Sequence, residues 1–197
     1  QHNLAGYKAA LLTMDMQNKT TPLMMTAAGT LMPLKALVFG AGVAGLQAIA
    51  TLQRMGAQVY ATDIRPEAEE QVKSLNAQFI TSEKENIDSI LPNCNIVITA
   101  VSVISGKVPR ILSAEQLQRL PSGAVVLDMA GGNVENSIDG RLLDNQHYKL
   151  LADSHLASDV AYSASFLHSR NVYNFLSRFN KIKQDKEVWS QILLTKA

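Results

Sequence analysis

The chain has 197 residues, 47% hydrophobic and 18% charged, with a formal charge of +1, which suits one substantial α/β domain or one domain with appended helices. It has no extended basic run to suggest nucleic acid or an anionic membrane surface. No apolar stretch reaches the length of a bilayer span and no signal-peptide pattern is visible. The single cysteine, Cys94, excludes an intrachain disulfide and a cysteine metal cluster.

In residues 3–17, Leu4, Tyr7, Ala10, Leu11 and Met14 recur at helical spacing, which predicts an amphipathic helix. Residues 19–30, with Pro22, Met24, Met25 and Gly29, read as a short irregular link with a second helical piece. After Pro33 an apolar strand, residues 35–39, runs into Gly40-Ala41-Gly42-Val43-Ala44-Gly45 and then a helix to about Met55. In this Gly-x-Gly-x-x-Gly pattern Gly40 lets the chain turn tightly and Gly42 admits a pyrophosphate to the backbone. Gly45 lets the helix pack close to the sheet. The helix from Val43 points its free N–H groups and positive dipole end at the phosphates. A glycine triplet alone is weak evidence, but here it has a strand before it and a helix after it. A second strand, residues 58–62, then ends in Asp63, at the distance where an acid binds the adenosine ribose.

Asp63, Ile64 and Arg65 bear on which dinucleotide is bound. A carboxylate at Asp63 accepts the ribose hydroxyls and repels a 2′-phosphate. Arg65 reads either as a cation able to take such a phosphate or as an exposed arginine opening the helix at residues 65–67, the preferred reading. NAD(H) is favoured over NADP(H).

A helix near Pro66 carries Ala68, Val72 and Leu75 inward, and residues 77–80 form a short strand. Residues 95–100 make the clearest buried strand outside the glycine motif, with Cys94 at its start as a core residue rather than a nucleophile. Residues 113–120 form a short helix with Ser113 as N-cap, and residues 123–129 and 148–151 are further strands. A long helix spans residues 161–179, with Phe166, Val172, Phe175 and Leu176 as core candidates. Residues 180–197 begin charged and end apolar, as a docking helix or partner contact would. The organisation is a helical lead-in (1–34), an NAD(H)-binding Rossmann domain (35–160) and a C-terminal helix and tail (161–197). Alternating apolar strands and helices predict a Rossmann-like doubly wound parallel sheet with flanking N- and C-terminal helices.

Ligands in such sheets bind at the carboxyl ends of the strands. Those ends hold Gly40 to Gly45, Asp63, the run Thr99, Ala100 and Val101, and residues 128–133. The turn at residues 129–133 either brings backbone close to the nicotinamide-side ribose or is simply a tight strand exit. No catalytic cluster is visible. His2, His147, His155 and His168 lack metal-ligand spacing, and Ser154-His155 is not a triad by itself.

Residues 1–9, Met24 to Thr30, Gly40 to Ala50 and Ala61 to Pro66 closely resemble the NAD(H)-binding component of proton-translocating nicotinamide nucleotide transhydrogenases. Alanine dehydrogenases share that superfamily. Weaker matches continue through Val97 to Ala100, Gly131 to Glu135, Ala161 to Ser165 and Arg170 to Leu176. The resemblance implies a soluble homodimer of Rossmann-like lobes, peripheral to the cytoplasmic side of the inner membrane. It implies docking on a proton-conducting membrane component and hydride transfer to NADP+ on a third component. Such a transfer needs no nucleophile or metal, only two nicotinamides held close, aligned and dry.

The departures from the family pattern are specific. The family's first lobe, with an Arg/Gln/Asp loop at the nicotinamide end, would precede Gln1. Only residues 81–93 stand where the family has a mobile loop closing over the nucleotide. Met129 replaces an acidic residue, and residues 154–159 replace an Asn/Pro/Ser/Arg-containing turn. Either the chain is a reduced relative that has lost full transhydrogenation, or it is the core of a complete component. The leading expectation is an NAD(H)-binding transhydrogenase component; the others are an alanine-dehydrogenase-like oxidoreductase and a non-catalytic NAD(H)-binding regulatory module.

Overall fold

A computed structural model describes residues 1–102 and 107–184, with side chains as far as residue 179. The apolar run expected at residues 188–194 therefore lies outside the described residues. The chain opens with helix α1, His2–Asp15, and a hairpin of β1, Met24–Thr26, and β2, Gly29–Leu31. Then follow β3 (Lys35–Phe39), α2 (Val43–Arg54), β4 (Gln58–Thr62), α3 (Ala68–Ser74), β5 (Gln78–Phe79) and α4 (Lys84–Ile90). The second half comprises β6 (Ile96–Thr99), α5 (Ala114–Leu117), β7 (Ala124–Asp128), β8 (Arg141–Asp144), β9 (Tyr148–Ala152) and α6 (Ala161–Gln184).

Seven strands form one sheet in the order β5-β4-β3-β6-β7-β9-β8, parallel throughout except for β8, which runs antiparallel along β9. The chain starts at β3 in the middle, moves outward through β4 and β5, and crosses back to β6 on the other side of β3. The crevice that this reversal opens at the carboxyl ends of β3 and β6 is where doubly wound sheets hold ligands. The predicted Rossmann-like sheet is thus the observed one.

Strand alternation divides the core between the two faces. Ala36, Val38, Ile96 and Ile98 join Ala48, Ile49 and Leu52 of α2 on one face. Leu37, Phe39, Val97 and Val126 join Leu91, Leu112 and Leu117 on the other. Cys94 is buried with this second set, and burial pushes its thiol up to about 12 despite the opposing charge of Lys35. It is a core residue, as expected, and at that pKa no nucleophile. Ser113 caps α5 through a capping box with Gln116, also as expected.

Four expectations need correction. The stripe that α1 buries is Gly6, Ala9, Ala10 and Thr13, not one centred on Tyr7, which is exposed. Small residues win because α1 crosses α2 at close range, where a large side chain has no room. The second helical piece expected in residues 19–30 is instead the hairpin, with Thr26 facing Gly29 across the turn and the Thr26 hydroxyl accepting the Ala28 N–H at 3.2 Å. Strand β8 went unpredicted because it is an exposed edge with no apolar run. The core candidates on α6, Phe166, Val172, Phe175 and Leu176, are all exposed, by 44–58%. Their periodicity marks a face, but after Ala164 the helix leaves the sheet and its described residues bury nothing more.

Candidate nucleotide site

The site grows from the end of β3. Gly40 donates its N–H to the Thr62 carbonyl at 2.8 Å and takes a φ of +90°, a conformation that L side chains rarely adopt. A Cβ there would meet the Ala100 carbonyl oxygen at 2.9 Å, so Gly40 also sets how closely β6 approaches. Gly45 is glycine for packing: a Cβ on it would fall on the Gly40 carbonyl. Gly42 differs from both. Its φ is −78° and a Cβ would meet no atom within 4 Å. The fold leaves open space there, and α2 begins at that point with no side-chain cap for its first N–H groups. An anion-sized space bounded by uncapped amides is the cradle that a pyrophosphate fits. Val43 at the rim is exposed, while Ala41 is buried beneath it.

Asp63 follows β4 directly and lies beside this turn. Its Oδ2 accepts the Ala41 N–H at 2.7 Å and its Oδ1 the Arg65 N–H at 2.9 Å. Arg65 then closes on the same carboxylate, Nε to Oδ1 at 3.0 Å and Nη2 to Oδ2 at 3.0 Å. Burial raises the Asp63 pKa, but the hydrogen bonds from Arg65 and Ala41, with the Arg65 charge, pull it below the ordinary carboxylate value. Arg65 does not open a helix as expected, since α3 begins at Ala68. Ile64 is exposed and takes no part in this pairing.

On the other side of the crevice the expected residues separate. The Thr99 side chain is fully buried and donates to Asp128 Oδ1 at 3.2 Å. It supports the strand end and presents no polar group to a ligand. Ala100 and Val101 are half-buried, and the Val101 N–H is held by Asn133 Oδ1 at 3.2 Å.

Sequence reasoning placed Asp128 and Asn133 near the site without seeing what they do. Asp128, fully buried, accepts from the N–H groups of Ala130 and Gly131 at 3.0 Å, from Val134 N–H at 3.1 Å and from Ser137 Oγ at 2.8 Å. Asn133 Nδ2 donates to the Pro109 carbonyl at 2.8 Å. A Cβ on Gly132 would meet Val108 at 3.3 Å. The turn at residues 129–133 is therefore tied into the protein itself, which favours the tight strand exit over a nicotinamide-side contact. An acid ending a buried strand, followed at once by a Gly-Gly turn, was the one signal available for it.

Ser154, His155 and Asp139 do come together, on an exposed turn. Ser154 Oγ donates to Asp139 Oδ2 at 2.6 Å and faces His155 Nδ1 at 2.9 Å. The serine proton thus goes to the carboxylate, and no imidazole is oriented as its base, so this is not the relay of a hydrolase. Among the described residues no group of His, Cys, Asp and Glu is placed to hold a metal ion.

The family model described as alanine dehydrogenase/PNT, C-terminal domain, matches residues 9–197. This chain belongs to that family. Within the alanine dehydrogenase/PNT family it is 34% identical over its whole length to the first of the polypeptides that make up the NAD(P) transhydrogenase alpha subunit of Rickettsia prowazekii, covering 59% of that protein. The crystal structure of transhydrogenase from Sinorhizobium meliloti superposes with a TM-score of 0.85 at 40% identity, over 89% of this chain and 54% of that one. An L-alanine dehydrogenase superposes at 0.71 with 18% identity over 95% of this chain and 57% of that one, a likeness of fold. The chain thus spans little more than half the length of these relatives. Its match to the Rickettsia protein extends over 225 positions against 197 residues here. That relative therefore carries residues inside the matched span that this chain lacks, in keeping with the internal shortening read from the sequence.

Proposed function

We propose that this chain is the NAD(H)-binding component of a nicotinamide nucleotide transhydrogenase, acting in hydride transfer between NAD(H) and NADP(H). One observation carries the reading: an open glycine turn at an uncapped helix start lies beside a fixed carboxylate, in the crevice where the strand order reverses. When bound, NAD(H) supplies the hydride chemistry. Gly40, Gly42, Val43, Ala44 and Gly45 hold the pyrophosphate through backbone N–H groups. Asp63 accepts the adenosine ribose hydroxyls, and Ala100 and Val101 border the nicotinamide end.

The remaining roles belong to the same proposal. NADP(H) sits on a partner component, and a membrane component conducts protons. The chain attaches at the cytoplasmic side through these partners, and no helix among its described residues is long and apolar enough to cross a membrane. Exposed apolar groups on the hairpin (Met25, Met32) and on α6 (Phe166, Tyr173) suit a homodimer and contacts with further lobes. The lead-in of residues 1–34 packs on the nucleotide-binding domain of residues 35–160, and residues 161–197 lead away from it.

A second reading, a non-catalytic NAD(H)-binding module, draws on the shortened span. Calorimetric titration with NADH and NADPH tests what both readings share: saturable NADH binding with little NADPH binding is expected, and binding of neither refutes both. Hydride exchange with an NADP(H) analogue, once partner components are added, separates them. Alanine-dependent NADH formation would instead favour an amino-acid dehydrogenase.

A further inference from the structure

We propose that Arg65 is a built-in competitor for the nucleotide's ribose and so sets both affinity and dinucleotide selectivity at this site. The inference rests on the reading of Asp63 as the ribose acceptor. The Asp63 side chain is 7% exposed and that of Arg65 55%. A fixed carboxylate is thus met from the solvent side by a movable guanidinium.

The four donors on Asp63 fall into two kinds. The N–H groups of Ala41 and Arg65, at 2.7 and 2.9 Å, belong to the backbone and stay where they are. They keep the carboxylate aimed whatever else happens. The other two, Arg65 Nε and Nη2, form a bidentate fork with one donor on each oxygen. A ribose 2′,3′-diol also brings two adjacent donors, one for each oxygen. Fork and diol compete for the same lone pairs, so the fork must open before the diol can seat. Nη2 also donates to the Ala41 carbonyl at 3.3 Å. The same arm therefore spans from the ribose end to the start of the glycine turn.

Magnitude decides whether this blocks or tunes. A partly exposed ion pair is worth roughly 0.2–1 kcal/mol, so the closed state outweighs the open one by only a few-fold. Apparent affinity falls in proportion to the open fraction. The fork tunes. It also blunts selectivity: the freed guanidinium, on the same rim, is a counter-charge for a 2′-phosphate that Asp63 alone would repel.

The test is calorimetric titration of the chain, R65A and R65K with NADH and with NADPH at low and high salt. Arg65→Ala is expected to bind NADH about three- to fivefold more tightly and NADPH no better than the parent. The NADH gap between parent and R65A should narrow at high salt, because screening opens the fork in the parent. Arg65→Lys keeps the charge without the fork and should fall between. If R65A binds NADH more weakly, or equally at every salt concentration, the proposal is overturned while the NAD(H) site stands. If no variant, the parent included, binds NADH, the reading of the site and the proposal fail together.

Discussion

Gly6 of α1 lies so close against Ala44 of α2 that a Cβ on it would overlap the Ala44 carbonyl oxygen. The lead-in helix thus sets the position of a residue in the glycine turn. In an open helix, Gly→Ala stabilises by about 1 kcal/mol. Here Gly6→Ala is expected to destabilise by on the order of 1–3 kcal/mol through overpacking, and to weaken NADH binding by shifting the start of α2. Chemical denaturation measures the first effect and calorimetry the second; a stabilised variant would show that the two helices separate easily.

The three glycines of the motif should respond differently. Gly42→Val puts its side chain into open space and should leave the melting temperature near that of the parent while abolishing NADH binding. Gly45→Ala collides with the Gly40 carbonyl and should lose the fold instead. Thermal melts and NADH titrations of the two variants side by side check this. Normal NADH binding by Gly42→Val would end the pyrophosphate assignment.

Asp63→Ala should weaken NADH binding by about 1–3 kcal/mol, as for a lost pair of charge-assisted hydrogen bonds. Unchanged affinity would mean that Asp63 is not the ribose acceptor. The same carboxyl predicts a pH effect. Its pKa in the folded chain lies below the ordinary value, which for a free aspartate is about 3.9. Its contribution to stability is therefore present above that unfolded value and is lost as pH falls through the lower native one. The stability difference between the parent and Arg65→Ala should close over that acid range, read from denaturation curves at a series of pH values.

Asp128→Ala strips the acceptor from three backbone N–H groups and two hydroxyls inside the protein. We expect a loss of roughly 3 kcal/mol or more, since each buried donor left alone costs about 1–3 kcal/mol and only some of that is recovered by relaxation. Urea denaturation measures it. A loss under about 1 kcal/mol would mean that water readily takes over these donors.

Much of this molecule was legible because backbone demands are written locally. The spacing of Gly40, Gly42 and Gly45 and the apolar runs at residues 35–39, 96–99 and 124–128 each announce a conformation that few other patterns support. What escaped depended on partners distant in sequence. Tyr7 and Leu11 look like an inward stripe until α2 arrives and only Gly6, Ala9 and Ala10 fit against it. Phe166 and Phe175 have core periodicity, yet no described element covers them. Thr99 looked like a ligand-facing residue at a strand end, but the register with β7 sets it opposite Asp128, which takes its hydroxyl.

By itself, then, the sequence determined the strand–turn–helix at the glycine motif, the parallel sheet and the family to which the chain belongs. These follow from steric limits and burial periodicity, which act over a few residues. Only the tertiary structure decided which polar groups pair: Arg65 folded back on Asp63, Asp128 gathering the turn that follows it, Asn133 holding Val101. A hydrogen bond needs its partner within about 3 Å and in line. That condition is met or missed only when the strands have taken their register.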